Sequence, residues 1–354
     1  MRLRLSPRRG YYLSKVIPLL IVFAVAFGIT SILVAISGFN PGEVFLGLFS
    51  GGFGSLHRLG QALNQATPLL FCALGLLLVF RAGIWNIGAE GQLYMGAVGA
   101  LIAGYFVPSI PGPLQILLMV IFAFIFGAVW GAIPGYLRAR FNTNEIITSL
   151  LMVFIAVWFV SYLIKFPWRS TTAAGFPVSE QIWPTAWLPI LPGTGAHAGF
   201  IIALVLAVVV WFILQKSTYG YHIKAVGVNP DTALYGGIPV RKIVVTSMIL
   251  SGGLSGIAGM AQVSGIFHVL ADNISVSYGF LAIVVAFVGR LHPLGAVIMA
   301  IFLGGLLSGS HYVQSSLGLD VTVVHVLVAV IMLALVLLPF LEQRFENLFK
   351  IHHD

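Results

Sequence analysis

Gln61, Asn64, Gln65 and Pro68 fall at i, i+3, i+4 and i+7 near the start of an apolar run, so a helix carries them on one face. Amides donate and accept hydrogen bonds without carrying charge. Such a face suits either the lining of a path for a polar, uncharged solute or the bonding of one helix to another. A second polar group sits in the break FRAGIWNIGAEGQ, residues 80–92, where Arg81, Asn86, Glu90 and Gln92 accompany three glycines. Glu90 has three partners to choose from: Arg81, the N-terminus of the following helix, or a solute. Farther along, Tyr278 and Phe280 have the rings to stack on a planar solute or to anchor a helix end at a membrane interface.

Covalent chemistry has little foothold. The dipeptide Gly-Lys does not occur, which excludes a Walker A loop, and neither GxSxG nor HExxH is present. Nine histidines fall at no metal-ligand spacing, and the single cysteine, Cys72, lies inside an apolar run. The sequence therefore predicts a chain with no catalytic residues and no metal or cofactor of its own.

The elements that must position these residues are membrane helices. Hydrophobic residues make up 59% of the 354 and charged ones 8%, against about 25% charged in soluble domains; the mean hydropathy is +1.03. The apolar runs are continuous rather than alternating, which excludes the strands of an outer-membrane barrel. The net charge of +8 is scattered between the runs, as topology signals are, rather than gathered for nucleic acid. The first run is long and lacks a cleavage site, so it reads as a retained helix and not a signal peptide.

Ten spans are predicted, at about 16–36, 62–80, 92–107, 114–133, 146–164, 200–214, 243–263, 277–289, 294–310 and 321–340, the eighth short enough to be a half-helix. With the N-terminus inside, fifteen basic residues (Arg2, Arg4, Arg8, Arg9, Lys15, Arg81, Arg138, Arg140, Lys216, Lys224, Arg241, Lys242, Arg290, Arg344 and Lys350) fall on the inner side. Only Arg58, Lys165 and Arg169 fall outside, an asymmetry that predicts both termini in the cytoplasm. The organisation is then a basic N-terminus, 1–15, one permease domain, 16–340, and a charged tail, 341–354. A connector occupies 37–59, and the longest non-spanning stretch is the outer loop 165–199. The break 80–92 reads as re-entrant or as a cytoplasmic turn; Arg81 favours the turn.

Small residues recur every four positions at Gly88, Gly96, Ala100 and Gly104, with Gln92 in register, and again at Gly252, Gly256 and at Gly305, Gly309. This spacing predicts close helix packing in lipid. In the cytoplasmic loop 215–242, Asn229 is an N-cap, Pro230 suits the first helical position, and Asp231 complements the dipole. Gly236-Gly237 stops the helix. Two turns cannot stand alone in water, so this helix, with Leu234 on it, docks against its own bundle or against a cytoplasmic partner. Asn142 or Asn144 is expected to cap the helix that follows.

Several stretches resemble the ABC-importer permeases of the branched-chain amino acid/ribose superfamily, closest to the nucleoside (basic membrane protein-associated) branch. They are FRAGIWNIGAEGQLYMGAVGA, NTNEIITSLLMVFIA, AVGVNPDTALYGGI and SYGFLAIVVAFVGRLHPLGA, in the family's order, with Phe154 where that branch has Asn. The resemblance implies an all-α permease of about ten transmembrane helices, with the fold of vitamin B12-type importers, in the cytoplasmic (inner) membrane of a prokaryote. It implies three kinds of partner: ABC ATPase subunits carrying the ATP and Mg, a second homologous permease, and an extracytoplasmic substrate-binding lipoprotein. It assigns coupling to residues 225–238 and a nucleoside as cargo, with riboflavin or a simple sugar such as ribose as alternatives. Alternating access would then pass solute along the amides, Asn86 and Tyr278. An ion-coupled secondary transporter would carry ionisable residues deep in its spans, and a membrane scaffold would need no amide-lined helix.

Overall fold

The computed structural model describes residues 7–173 and 175–348. Arg2, Arg4 and Lys350, counted above among the inner basic residues, lie outside the described residues. Thirteen α-helices account for the described chain, in the order α1 Pro7–Ile36, α2 Pro41–Phe53, α3 Leu56–Arg81, α4 Ala89–Leu101, α5 Gly112–Phe141, α6 Glu145–Lys165, α7 Gly199–Lys216, α8 Thr218–Val228, α9 Pro230–Tyr235, α10 Val240–Gln262, α11 Tyr278–Val288, α12 Pro293–Leu317 and α13 Val321–Leu348. π-Helical turns extend α4 over Ile102–Phe106 and α10 over Val263–Phe267.

Two compact units divide the chain, one of residues 1–55 and 305–354, the other of residues 56–304. In the first, Val34, Val44, Leu48, Val313, Leu319 and Leu327 form a buried cluster. The connector expected at 37–59 proves to hold helix α2, bent 113° from α1. Asn40 accepts a hydrogen bond from the Gly42 amide at 2.9 Å and Pro41 takes the first helical position, so this start is well capped.

In the second unit α3 and α10 are buried along most of their length, whereas α5, α6 and α7 bury a third or less. Helices in lipid gain little from apolar burial, so contact comes from backbones drawn close. A Cβ on Gly96 of α4 would lie 2.2 Å from the Gly256 Cα of α10, and one on Gly127 of α5 would lie 2.3 Å from the Gly252 carbonyl oxygen of α10. Gly96, Gly252 and Gly256 thus lie on the seam along which α4, α5 and α10 meet, whereas Gly88 abuts Ser149 of α6, and Gly305 and Gly309 of α12 abut α2. Asn144 caps α6 through the amides of Ile146 and Ile147. Asn142 instead ends α5, in the left-handed conformation.

Among the described residues six helices are long and apolar enough to cross a membrane, or seven with α1–α2 as one bent span. The count falls short of ten partly because α4 and α11 hold 13 and 11 residues. The short eighth span expected at 277–289 is α11, and α4 starts three residues before the expected 92 because Glu90 and Gly91 read as part of the polar break.

Candidate functional site

The short helices α4 and α11 meet head to head inside the second unit. The chain leaves α3 at Arg81 and climbs beside the first turns of α6. The Trp85 amide lies 3.5 Å from Glu145 Oε1, the Ile87 amide donates to Ser149 Oγ at 3.1 Å, and Gly91 abuts Val153. Eight residues of α6 separate Glu145 from Val153, a climb of about 12 Å. Within the break Asn86 and Gly88 to Glu90 are buried, whereas Gly83 and Trp85 are exposed. From the other direction α11 runs back to the Arg81 end, where Phe287 stacks on Phe80 with ring centres 4.9 Å apart.

Glu90 holds the junction together. It is the second residue of α4, and its Oε2 accepts the amide of Gly279, the second residue of α11, at 2.7 Å. Ser275 also hydrogen-bonds the carboxylate and accepts the Tyr278 amide at 3.0 Å. Ser277, which precedes α11 in the left-handed region at φ 68°, supplies no side-chain cap, so α11 is capped from elsewhere in the fold. The fit leaves no room for a side chain at position 279, since a Cβ there would lie 2.2 Å from the Glu90 nitrogen. None of the three partners expected for Glu90 is the one found: the start it caps belongs to α11 and not to its own helix, which has no side-chain cap. Arg81 instead donates from Nε to the Leu291 carbonyl at 2.9 Å.

Next to this cap the Tyr278 hydroxyl donates to Gln65 Oε1, which ties α11 to α3. Tyr278 is 4% exposed, and Gln65 and Phe280 are half-buried. Gln65 lies nine residues into α3, about 14 Å from its start, so the bond sits well inside the helix rather than at its end.

The remaining amides divide between two other places. Asn86 is fully buried and donates to Gln92 Oε1 and Ser251 Oγ, both at 3.0 Å, while its own oxygen accepts from the Gly88 amide at 2.9 Å and Gln92 Nε2 at 3.2 Å. The pair spends its bonding capacity on protein. Asn64 donates to the Gly195 carbonyl at 3.0 Å and accepts from the His197 amide at 2.9 Å, pinning the loop before α7; Gln61 is exposed beside it. His197 is 1% exposed, with Nδ1 accepting the Gly199 amide at 3.2 Å. Burial, and secondarily the neighbouring His268, pull its pKa down to about 4. Ser251 stood within a small-residue run, and Ser275 and His197 carried no spacing signal; their roles come from contacts between distant segments.

At the Arg81 end, Asn229 Oδ1 accepts the amides of Asp231 and Thr232, both at 3.0 Å, with Pro230 in first position. Gly236 ends α9, and Gly237 turns at φ 80°. Ala233 and Ile238 are buried, while Asp231 is exposed and Val228, Leu234 and Tyr235 are 87%, 62% and 94% exposed. Behind α9 lies a cavity of about 320 Å³ lined by residues that include Gly83, Arg138, Pro230 and Arg241. Arg138 pairs with Glu145 at 3.3 Å.

A multi-pass α-helical bundle with broken helices meeting inside it is the architecture in which transporters build solute sites. The family described as branched-chain amino acid transport system / permease component matches residues 58–337, and the chain belongs to it. It is similar to the guanosine ABC transporter permease protein NupP of Bacillus subtilis, 32% identical over 332 residues, 91% of this chain and 93% of that one. It is also similar to the nucleoside ABC transporter permease protein NupB of Lactococcus lactis, 29% identical over 84% of each chain. The glucose ABC transporter permease protein TsgB13 of Haloferax volcanii is 30% identical over 97% of this chain and 93% of its own.

Proposed function

We propose that this chain is the membrane-spanning permease subunit of an ATP-driven importer for nucleosides. The observation that carries the reading is likeness, over most of the chain, to permeases named for guanosine and nucleosides. The reading includes ten transmembrane segments in the vitamin B12-type arrangement, both termini cytoplasmic, in the cytoplasmic (inner) membrane of a prokaryote. Partner ABC ATPases bind ATP and Mg and hydrolyse the nucleotide. A second homologous permease completes the pair, and an extracytoplasmic binding lipoprotein delivers the solute.

Gln65, Tyr278, Phe280 and Glu90 form the gate of the solute path. Support comes from two broken helices meeting there, from an aromatic ring and an amide facing each other, and from depth within α3. Asn86 and Gln92 hold the break in shape, Asn64 holds the outer loop, and Gln61 is left exposed beside it. Helix α9, from Asn229 to Gly237, is the lever that receives the ATPase. Its exposed Leu234 and Tyr235 give a partner an apolar grip without disturbing the buried Ala233.

The test is mild-detergent purification of the tagged chain, with mass spectrometry of co-purifying proteins and small molecules. Recovery of an ABC ATPase, a sister permease and a lipoprotein carrying a nucleoside is the expected result. The same proteins with a sugar or riboflavin would keep the machine and overturn the cargo. Uptake that follows an ion gradient, with no ATPase recovered, would overturn the importer.

A further inference from the structure

A second cavity of about 320 Å³ lies just beyond the end of α6 and the π-helical turn of α4, bordered by Tyr105, Phe106, Trp168, Arg169, Thr171 and Glu180 among others. That volume is at the lower end of the range for small-ligand sites, about 300–1,000 Å³. Its charges are of both signs and do not pair with each other. Glu180 is fixed by the residues opposite: Oε1 accepts the Thr171 amide at 2.8 Å and its hydroxyl at 3.1 Å, Oε2 accepts the Thr172 hydroxyl at 3.3 Å, and the Ser170 hydroxyl also bonds the carboxylate. The Thr171 amide bond holds the carboxyl below its usual range, so it is ionised at neutral pH. Arg169 has no hydrogen-bond or ion-pair partner among the described residues.

The surroundings are those of a membrane interface. Phe106, at the end of the π-helical turn of α4, packs on Trp168, just past the end of α6, with ring centres 5.3 Å apart, and Tyr105 stacks on Trp183 at 6.4 Å. Below the cavity α6 carries a continuous exposed apolar stripe: Ile155 is 54% exposed, Trp158 71%, Tyr162 54%, and Phe166 just past its end 69%. These positions share one helical face. A cavity with a free guanidinium and a carboxylate, at the head of an apolar stripe, has the outline of an amphiphile.

We infer that this cavity binds the headgroup of an aminophospholipid of the phosphatidylethanolamine type, with its phosphate on Arg169, its primary ammonium on Glu180 and an acyl chain along the α6 stripe. Guanidinium matches phosphate geometry, and the ionised Glu180 carboxylate attracts a primary ammonium, which can share its oxygens with the hydroxyls that already bond it. A choline headgroup has no N–H to give, and a glycerol headgroup has no cation for Glu180. The inference needs only that the helices span a membrane and is independent of which solute is carried.

The experiment is native mass spectrometry of the delipidated full-length chain titrated with dioleoyl phosphatidylethanolamine, phosphatidylcholine and phosphatidylglycerol. Phosphatidylethanolamine is expected to bind about tenfold tighter than either of the others. Glu180→Gln should erase its advantage over phosphatidylcholine. Arg169→Ala should weaken all three lipids, and Trp168→Ala should weaken phosphatidylethanolamine with the charges intact, which covers a Glu180 variant that fails to fold. Equal binding of the three lipids, or a preference that survives Glu180→Gln, would overturn the inference. So would soluble phosphoethanolamine binding as tightly as the lipid, or guanosine displacing the lipid, which would make the cavity a solute site.

Discussion

Glu90 caps a helix that is not its own, and its value lies in accepting hydrogen bonds from a buried amide and hydroxyl. Glu90→Gln keeps an acceptor, while Glu90→Ala strands the Gly279 donor, at a cost of about 1–3 kcal/mol. Thermal unfolding in detergent should therefore rank Ala well below Gln; equal losses would mean that the charge alone matters. His197 gives a pH signature. In the unfolded chain the imidazole titrates near its ordinary 6.5, and in the folded chain near 4. Between those values the unfolded state binds more protons, so stability is full above pH about 6.5 and is lost as pH falls towards about 4. Protonation also removes the Nδ1 acceptor for the Gly199 amide and sets a cation at the start of α7. The melting temperature should drop across that window, and His197→Asn should flatten the drop; an unchanged slope would assign it to other groups. Neither role was legible in the sequence. An acid before an apolar run looks like a cap for its own helix, and a lone histidine in a loop does not reveal its burial. The amide stripe on α3 was legible as a stripe, but only the fold divides it between a loop staple at Asn64 and an inter-helix bond at Gln65.

At the scale of elements, legibility followed the strength of local signals. Helix α9 was written out in full by Asn229, Pro230, Asp231 and Gly236-Gly237, because capping chemistry is local. Helix α2 was missed because Pro41 and its glycines look like a connector, yet Gly51 and Gly52 are where α2 and α12 lie backbone to backbone. Short helix α11 was legible to within a residue at each end, whereas the start of α4 was placed three residues late because Glu90 and Gly91 read as part of the polar break. Two predictions belong to elements. Leu234→Ala with Tyr235→Ala touches only exposed surface of α9, so stability should move by less than about 0.5 kcal/mol. ATP-dependent uptake should nevertheless fall by an order of magnitude, read in proteoliposomes with the partner subunits; wild-type uptake would remove α9 from the coupling role. By contrast Gly256→Leu drives a side chain into the Ala123 and Gly127 backbones of α5, so little folded protein should survive extraction.

For the molecule as a transporter, the decisive property is that its broken-helix junction is shut. Tyr278 is buried and bonded to Gln65, and Glu90 holds the backbone of α11 against α4. A solute that passes here must part α3 from α11, and ATP can drive that parting only through contacts that differ between the closed and open states. The hydroxyl of Tyr278 is such a contact, since it exists only when the helices are together. Removing it in Tyr278→Phe takes about 1 kcal/mol from the closed state, which shifts the closed-to-open ratio roughly fivefold. Basal ATPase activity and passive solute leak should both rise by a few-fold, because the open state is visited without a signal from the binding protein. The opposite manipulation should stop transport. Cys72, the only cysteine, is buried and can be replaced by alanine; cysteines at positions 65 and 278 can then be joined by a short, reducible bifunctional reagent. Uptake should cease when the reagent bridges α3 and α11 and return when reductant cleaves it, while ATPase subunits remain bound throughout. Leak and arrest together would make this junction the moving gate. If the bridged protein still imports solute at the unmodified rate, the solute crosses elsewhere, and the Gln65–Tyr278 bond is a structural tie between helices that never separate.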